Sequence, residues 1–271
     1  MNQLEDFSEY NGEGTVLRKA QLRLLEMLIE FDKICTKHNI PYFISGGTCL
    51  GAVRHGGFIP WDDDIDIDIW YKDYKKLEKI LVNELPQNYF IQTYKTDRNF
   101  HAKFMRIVDK NSSLKFKNNR LRKNIVFKGL FIDVLPLNHS LSYSFKIFID
   151  KFIGAVFRIN RTGHKNFLVY MCAKILVPIG YVFLKINEFF SFLAGHLNPE
   201  KITHHHPSRA IKIPKLLYSE CFPPQKITFE GKSFLGPAKP HEYLISLYGK
   251  NYMQIPSRDK RVFHAEHIEI E

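Results

Sequence analysis

The sequence predicts an α+β fold: a mixed β-sheet core flanked by helices, with a helical subdomain inserted into it or appended to it. Aspartate and isoleucine alternate from Asp64 towards Trp70, which is typical of a β-strand. Apolar residues recur with helical spacing in Val16–His38 and Tyr74–Leu85. After residue 140 the composition shifts to phenylalanine, leucine and isoleucine without strand punctuation. Helices and strands mixed in this order imply an α/β or α+β domain with a mixed sheet.

The first half of the chain alternates between helices and strands. The helix of Val16–His38 carries leucines, Phe31 and Cys35 on one stripe, and Asn39 and Pro41 end it. The elements predicted after it are a strand at Tyr42–Ile44, a turn at Ser45–Gly47, two helical turns at Thr48–Arg54, the acidic strand, and the helix of Tyr74–Leu85. Further strands are predicted at Tyr89–Tyr94, Ala102–Val108 and Leu130–Leu135.

At 271 residues the chain can form one large domain or two small ones. We expect a core at 1–139, a helical subdomain at 140–220 that contacts membrane or acceptor, and a C-terminal segment at 221–271 that packs back on the core. The subdomain contains two or three helices within Tyr143–His196. The C-terminal segment contains a strand or hairpin at Lys226–Leu235 and a helix at His241–Tyr248.

The most apolar stretch, Leu168–Leu184, is nearly long enough to cross a bilayer, but Lys174 and Pro178 interrupt it. A membrane-spanning helix usually needs about 20 apolar residues. Burial in the protein core and shallow docking on a membrane interface are equally weighted alternatives, and both are favoured over a true span.

The net charge is +11, which suggests an anionic partner such as a nucleotide, a phosphorylated substrate or a membrane surface. Nucleic acid is not among the expected partners. Four cysteines without metal-binding spacing suit a reducing compartment, and the polar N-terminus has no signal-peptide pattern. We therefore expect a cytoplasmic protein, with peripheral contact to the anionic inner face of a membrane as a further expectation.

Five aspartates occupy the seven positions from Asp62 to Asp68. On a strand, Asp64, Asp66 and Asp68 project from one face, where their charges repel unless a cation lies between them. Mg²⁺ or Mn²⁺ is the expected cofactor, because hard cations take oxygen ligands. The alternatives are an acidic edge facing solvent and a calcium loop. An EF-hand needs a central glycine and a final glutamate, which this run lacks.

Two further features surround the acidic strand. The turn Ser45-Gly46-Gly47-Thr48 joins a strand to a helix start, where glycine lets the backbone approach a phosphate and exposed N–H groups attract it. Alone, such a turn is weak evidence. Asp133 is an isolated acid in the apolar run Leu130–Leu135. It either pairs with a lysine or arginine, or completes a three-carboxylate metal site beside the first strand.

The continuous block Ile44–Ile67 closely resembles the hallmark motif of the LicD family. The segments Glu30–Cys35, Ala102–Ser112 and Phe131–Val134 also look like this family. Its members are bacterial phosphocholine transferases that decorate lipopolysaccharide or teichoic acid, and they are related to fukutin-type ribitol-phosphate transferases.

The resemblance implies a nucleotidyltransferase-like fold for the core. Matching residue by residue, the turn residues Gly46 and Gly47, with Ser45 and Thr48, would bind the donor phosphates. Three acids would be both catalytic and metal-binding: Asp64, Asp66 and Asp133. Asp68 departs from the family pattern and is expected as an extra acid at the surface or behind the metal ligands.

The function implied is metal-assisted transfer of a phospho-alcohol from CDP-choline or another CDP-alcohol to a sugar hydroxyl of a cell-surface glycan precursor that is lipid-linked. Arg54, Lys103 and Arg106 would offset phosphate charge, although surface ion pairs are the alternative for each. Trp61 could contribute an aromatic face for choline or only pack in the core. The motifs do not select choline over ribitol or glycerol. Transfer of a nucleotide onto a small acceptor and a non-enzymatic membrane scaffold are the competing functions.

Overall fold

The computed structural model describes residues 6–93, 95–97, 99–100, 102, 104–116, 125–140, 143–204, 215–261, 263 and 265–270. Its helices are α1 Ser8–Asn11, α2 Val16–Lys37, α3 Gly46–His55, α4 Tyr71–Glu84, α5 Tyr143–Thr162, α6 Phe167–Leu197, α7 Tyr218–Cys221 and α8 Pro240–Tyr248. Its strands are β1 Tyr42–Ile44, β2 Ile65–Trp70, β3 Tyr89–Gln92, β4 Met105–Asp109, β5 Ser112–Phe116, β6 Phe131–His139, β7 Lys201–His204, β8 Leu216–Leu217, β9 Gln225–Phe229, β10 Lys232–Gly236 and β11 Ala265–Ile270.

The described residues form one seven-stranded sheet and two small two-stranded ones. The main sheet runs β1-β2-β6-β4-β3, with β7 beside β6 and β8 beside β7. Strands β2 and β6 are parallel, and the other pairs of this sheet are antiparallel. The predicted α+β class with a mixed sheet and flanking helices is therefore confirmed, while the nucleotidyltransferase-like topology stays a prediction.

The alternation on β2 divides the sheet into an apolar and an acidic face. Ile65, Ile67 and Ile69 are fully buried in the core cluster that also contains Leu28 and Phe31 of α2. Burying one such side chain contributes about 1.5–3 kcal/mol. The aspartates of the same strand face the opposite side, because successive side chains of a strand alternate. Apolar packing on one face thus orients the acids on the other.

Most of the predicted elements are confirmed, and the misses are short or depend on distant partners. The Thr15 side chain accepts a hydrogen bond from the Arg18 N–H and so caps α2. The two strands β9 and β10 form the predicted hairpin. Sequence analysis missed the strands β5, β7, β8 and β11 and the four-residue helices α1 and α7. Strand β11 pairs with β5 and β7 pairs with β6, in both cases far away in sequence, while the two-residue β8 pairs with β7.

Helices α5 and α6 form a hairpin inserted between β6 and β7, which are antiparallel neighbours. The chain therefore leaves the sheet and returns to it at nearly the same place. Strands β7 and β8 lie within 140–220 but belong to the main sheet. The predicted division into a core, a helical subdomain and a C-terminal segment stays a prediction. Among the described residues, α6 is the one helix that is long and apolar enough to cross a membrane, judged by length and composition alone.

Candidate active site

Parallel pairing of β2 with β6 makes Asp66 the direct partner of Asp133. Paired residues of neighbouring strands point to the same face of a sheet, so both carboxylates belong to the acidic face. Asp64 immediately precedes β2 and acts electrostatically on Asp66, as Asp133 does. The three acids predicted from the sequence therefore lie in one region of the molecule.

The surroundings of the Asp66 carboxyl group destabilise its charged form. Burial raises its pKa well above the ordinary value, and the neighbouring acids Asp64, Asp133, Asp62 and Asp68 raise it further. Hard carboxylate oxygens that repel one another are the donor set that Mg²⁺ or Mn²⁺ requires, so these residues fit such an ion.

In the described part of the chain, the run that precedes β2 brings three acids close enough together to hold one ion. Asp62, Asp63 and Asp64 each offer a carboxylate oxygen, and these atoms lie within 4.8 Å of one another. Asp63 also has a structural role, since its Oδ2 accepts a hydrogen bond of 2.8 Å from the Ala265 N–H and so holds β11. Asp62 and Asp64 flank it and are half-buried.

Asp133 is held by Arg106, its cross-strand partner on β4. The guanidinium donates Nε to Oδ1 at 2.6 Å and Nη2 to Oδ2 at 2.7 Å, and it stacks 3.6 Å from the Phe131 ring. The sequence left open whether Asp133 pairs with a base or binds metal, and the structure shows the pairing. Two carboxylate oxygens carry about four lone-pair sites, so capacity for an ion remains. The predicted metal and phosphate roles of these two residues stay predictions.

The glycine turn lies directly against the acids. Gly46 has a φ of +50°, and a Cβ there would stand 2.7 Å from Asp66 Oδ2, while one at Gly47 would stand 2.9 Å from Asp62 Oδ2. The Ser45 N–H donates to the Asp66 carbonyl at 2.9 Å, and the Asp66 N–H donates to Thr48 Oγ1 at 2.9 Å. A side chain at Gly46 would be strained by the positive φ and would have to displace the Asp66 carboxylate. The two backbone hydrogen bonds join β2 to the start of α3.

The turn does not present all of its N–H groups as the sequence suggested. The Gly46 N–H donates to the Tyr243 phenol oxygen at 3.1 Å. The N–H groups of Gly47 and Thr48 belong to the first turn of α3, where a helix lacks internal acceptors. Those two are the better placed groups for an anion.

Asp68 is buried, so the surface position expected for it is wrong, and the alternative position behind the metal ligands stays a prediction. Its Oδ2 accepts the Tyr243 hydroxyl at 3.4 Å, and its Oδ1 lies 3.0 Å from Nε2 of His204 on β7. Burial raises the pKa of the Tyr243 hydroxyl, and the Asp68 charge raises it further. The sequence motifs did not single out His204 for the site. The signal was weak because β7 has only four residues.

Tyr248 is a further residue near the acids that the sequence did not single out for the site. Partial burial raises the pKa of its hydroxyl, and the carboxylates of Asp66 and Asp62 raise it further. It lies at the last turn of α8, the helix that also carries Tyr243. One short C-terminal helix therefore supplies two phenols to this region.

The remaining predicted binding residues have structural contacts of their own. Arg54 donates Nη1 to the carbonyls of Tyr252 and Gln254, and burial lowers the pKa of its guanidinium. Trp61 is buried beneath the Arg261 guanidinium, which lies 4.7 Å from its ring. Lys103 lies outside the described residues. Substrate contact by these three residues stays a prediction.

Comparison with known proteins agrees with the motif block. Residues 39–146 match the family model for the nucleotidyltransferase domain of LicD, FKTN and FKRP. The lipopolysaccharide cholinephosphotransferase LicD of Haemophilus influenzae is 24% identical over 92% of this chain and 96% of its own length. Human ribitol-5-phosphate transferase FKTN is 36% identical over 26% of this chain and 15% of its own. Human ribitol 5-phosphate transferase FKRP is 44% identical over 15% and 8%.

These relatives are phosphotransferases by name, and the shorter matches cover 73 and 41 residues. The LicD match extends over nearly the whole of both chains, so it is not confined to the motif block. The resemblance to the LicD family that the Ile44–Ile67 block predicted is therefore confirmed, and the matched domain spans residues 39–146.

Proposed function

We propose that this protein is a metal-dependent transferase that moves phosphocholine, or a similar phospho-alcohol, from a CDP-linked donor to a sugar hydroxyl of a cell-surface glycan. The observation that carries the proposal is the in-register pair of Asp66 and Asp133, with the Gly46–Gly47 turn against Asp66. The names of the relatives support it, since choline phosphate and ribitol 5-phosphate are both phospho-alcohols.

Asp64, Asp66 and Asp133 are the proposed ligands of Mg²⁺ or Mn²⁺. Such an ion, when bound, would neutralise the donor diphosphate and stabilise charge on the leaving phosphate. Burial and the repulsion of the neighbouring acids both raise the Asp66 pKa, and the repulsion supports this assignment because a cation among the acids relieves it.

The chain's own groups would bind the donor and move one proton. The N–H groups of Gly47 and Thr48 would bind donor phosphate oxygens at the start of α3. Arg106 would add positive charge beside them. The acceptor hydroxyl oxygen attacks the phosphorus that carries the alcohol, its proton passes to Asp133, and CMP leaves with the electron pair of the broken phosphoanhydride bond.

Labelled donors test the reaction class directly. CDP-choline labelled in choline or in cytidine is incubated with the protein, Mg²⁺ and a glycan acceptor. Transfer of the choline label supports the proposal. Transfer of the cytidine label would instead make the protein a nucleotidyltransferase, the second candidate that the name of the matched domain favours. CDP-ribitol and CDP-glycerol in the same assay identify the alcohol, and no transfer from any of them overturns the proposal.

The acceptor and the compartment are part of the same proposal: a lipid-linked glycan precursor of lipopolysaccharide, teichoic acid or capsule, modified on the cytoplasmic side of the membrane. Mass spectrometry of surface glycans from cells with and without the gene tests this, with cells expressing Asp66→Asn as the matched control. An enzyme is supported if the glycans lose one phospho-alcohol both in the cells without the gene and in the cells expressing Asp66→Asn. Unchanged decoration in the Asp66→Asn strain would instead favour a non-enzymatic scaffold.

A further inference from the structure

Helix α6 has the reverse of the side-chain distribution that is usual for a helix in a water-soluble protein. Its buried positions hold small or polar residues: Ala173, Gly180, Asn187, Ser191 and Ala194. All of these except Ser191 recur every seven residues. Its large apolar side chains are exposed, several of them by more than 60%: Phe167, Leu168, Ile175, Phe189, Phe192 and Leu197. Water-soluble helices bury their large apolar face, whereas helices in lipid pack through small residues.

The small residues of α6 already have a partner in α5. A Cβ at Gly180 would stand 3.2 Å from the Phe157 ring, and Ile153 of α5 is fully buried. The Phe157 and Tyr181 rings lie 5.0 Å apart. The small-residue side is therefore the contact between the two helices. The large apolar side is exposed to solvent in the described part of the chain.

The C-terminal part of α6 fixes the hairpin to the sheet. Glu188 accepts a hydrogen bond of 2.7 Å from the Tyr71 hydroxyl, and Lys75 lies 3.4 Å from the same carboxylate oxygen. Gly195 is packed against His139 at the end of β6. The stretch from Phe167 to Ile186 precedes this attachment and is about 30 Å long at 1.5 Å per residue.

The hairpin is also basic. Residues 143–197 contain seven lysines or arginines against two acids. Lys151, Lys165, Lys174 and Lys185 are exposed among the apolar side chains, and of the two acids Glu188 is paired. An exposed apolar surface interspersed with lysines matches the boundary between acyl chains and anionic headgroups, where long basic side chains reach outward to the phosphates.

We propose that the α5–α6 hairpin docks in the interface of a bilayer that contains anionic lipid, lying along it and not across it. Crossing would bury Lys174 in the hydrocarbon and carry the basic tip around His164 and Lys165 to the far side. A lysine at the bilayer centre is strongly unfavourable, because the hydrocarbon cannot solvate its charge. The attachment at Glu188 and His139 then holds the β6 strand, and with it Asp133, at a set height above the membrane. The docking itself does not depend on the transfer reaction.

Vesicle sedimentation with the full chain tests the proposal. We compare phosphatidylcholine vesicles with vesicles in which about a third of the lipid is phosphatidylglycerol. The protein should sediment with the anionic vesicles, and added salt should weaken this binding without abolishing it. The combined change Ile175→Ser, Ile179→Ser and Val182→Ser should reduce binding about tenfold or more, since less apolar area is inserted.

A matched control is Val82→Ser, which replaces a side chain that is 66% exposed on α4, outside the hairpin. It should leave vesicle binding unchanged, and thermal melts should confirm that both variants fold. The proposal is overturned if the full chain stays in the supernatant with anionic vesicles, or if the triple variant sediments like the unaltered protein. Resistance to alkaline carbonate extraction would mean crossing. If the unaltered protein is a dimer that does not bind vesicles, and the triple variant is a monomer, a second copy of the chain covers the apolar face.

Because binding is measured without donor or acceptor, its failure would leave the proposed transfer untouched. Conversely, a protein that binds vesicles but transfers nothing would retain the docking surface and lose the proposed function.

Discussion

Asp66 and Asp68 lie two positions apart on β2 and face the same side of the sheet, but their surroundings differ. Asp66 lies among other carboxylates and against the glycine turn, and burial together with these acids raises its pKa. Asp68 is enclosed, with His204 on one oxygen and the Tyr243 hydroxyl near the other. The strand pattern makes the two residues equivalent, and only their distant partners distinguish them. We expect Asp66 to serve chemistry and Asp68 to serve structure.

The largest effect should separate these two roles. Asp66→Asn should lower the transfer rate about 1000-fold or more, because an amide replaces a charged oxygen ligand. Its free energy of unfolding should stay the same or rise, since one charge leaves a crowded group of acids. Rates with labelled donor and thermal melts on the same preparations measure both quantities.

Asp68→Asn is the matched variant and should have the opposite profile. It weakens a buried hydrogen-bonded group and should cost about 1–3 kcal/mol of unfolding free energy. Its transfer rate at a temperature where it remains folded should fall far less than that of Asp66→Asn. Equal losses of activity in the two variants would contradict the assignment of Asp66 to chemistry and Asp68 to structure.

Mg²⁺ should stabilise the protein only where the acids around Asp66 are complete. At an ion concentration of about 100 times Kd, ligation adds about 2.7 kcal/mol to the free energy of unfolding. We expect a higher melting temperature for the unaltered chain and for Asp68→Asn, and no shift for Asp66→Asn. A shift of the same size in all three would assign the ion to another place.

Gly46→Ala tests the close approach of the turn to Asp66. A side chain at a positive φ costs about 1–2 kcal/mol, and this one would also displace the Asp66 carboxylate. Gly231→Ala shares the positive φ but has open space around its Cβ, so it should lose similar stability and keep full transfer activity. If both variants transfer equally well, the turn does not position the site.

The smallest effect is expected from Tyr243→Phe. The change removes the acceptor of the Gly46 N–H and the donor to Asp68, and should cost about 1 kcal/mol of stability with a modest loss of rate. Tyr181→Phe, at a half-exposed phenol on α6, should change stability by less than about 0.5 kcal/mol. Indistinguishable melts would mean that the Tyr243 hydroxyl contributes nothing.

The outline of the fold was predictable wherever local spacing carries the information. The helix predicted at Val16–His38 ends within one residue of α2, and the strand Tyr42–Ile44 coincides with β1. Strands β7 and β11 were missed because each is stabilised by a partner far away in sequence more than by its own residues. The hairpin was expected to be helical. The exposure of its large apolar side chains was not predictable, because it depends on which residues of α6 are covered by α5.

The amino-acid sequence alone determined that aspartates and isoleucines share one strand, that a glycine turn precedes it, and that this block resembles the LicD family. Only the tertiary structure decided the partner of each acid. Arg106 lies 27 residues from Asp133, and Asp68 lies 136 residues from His204 and 175 from Tyr243. Strand register and helix docking bring such pairs together. Both are set by packing over the whole domain, so no local pattern contains them.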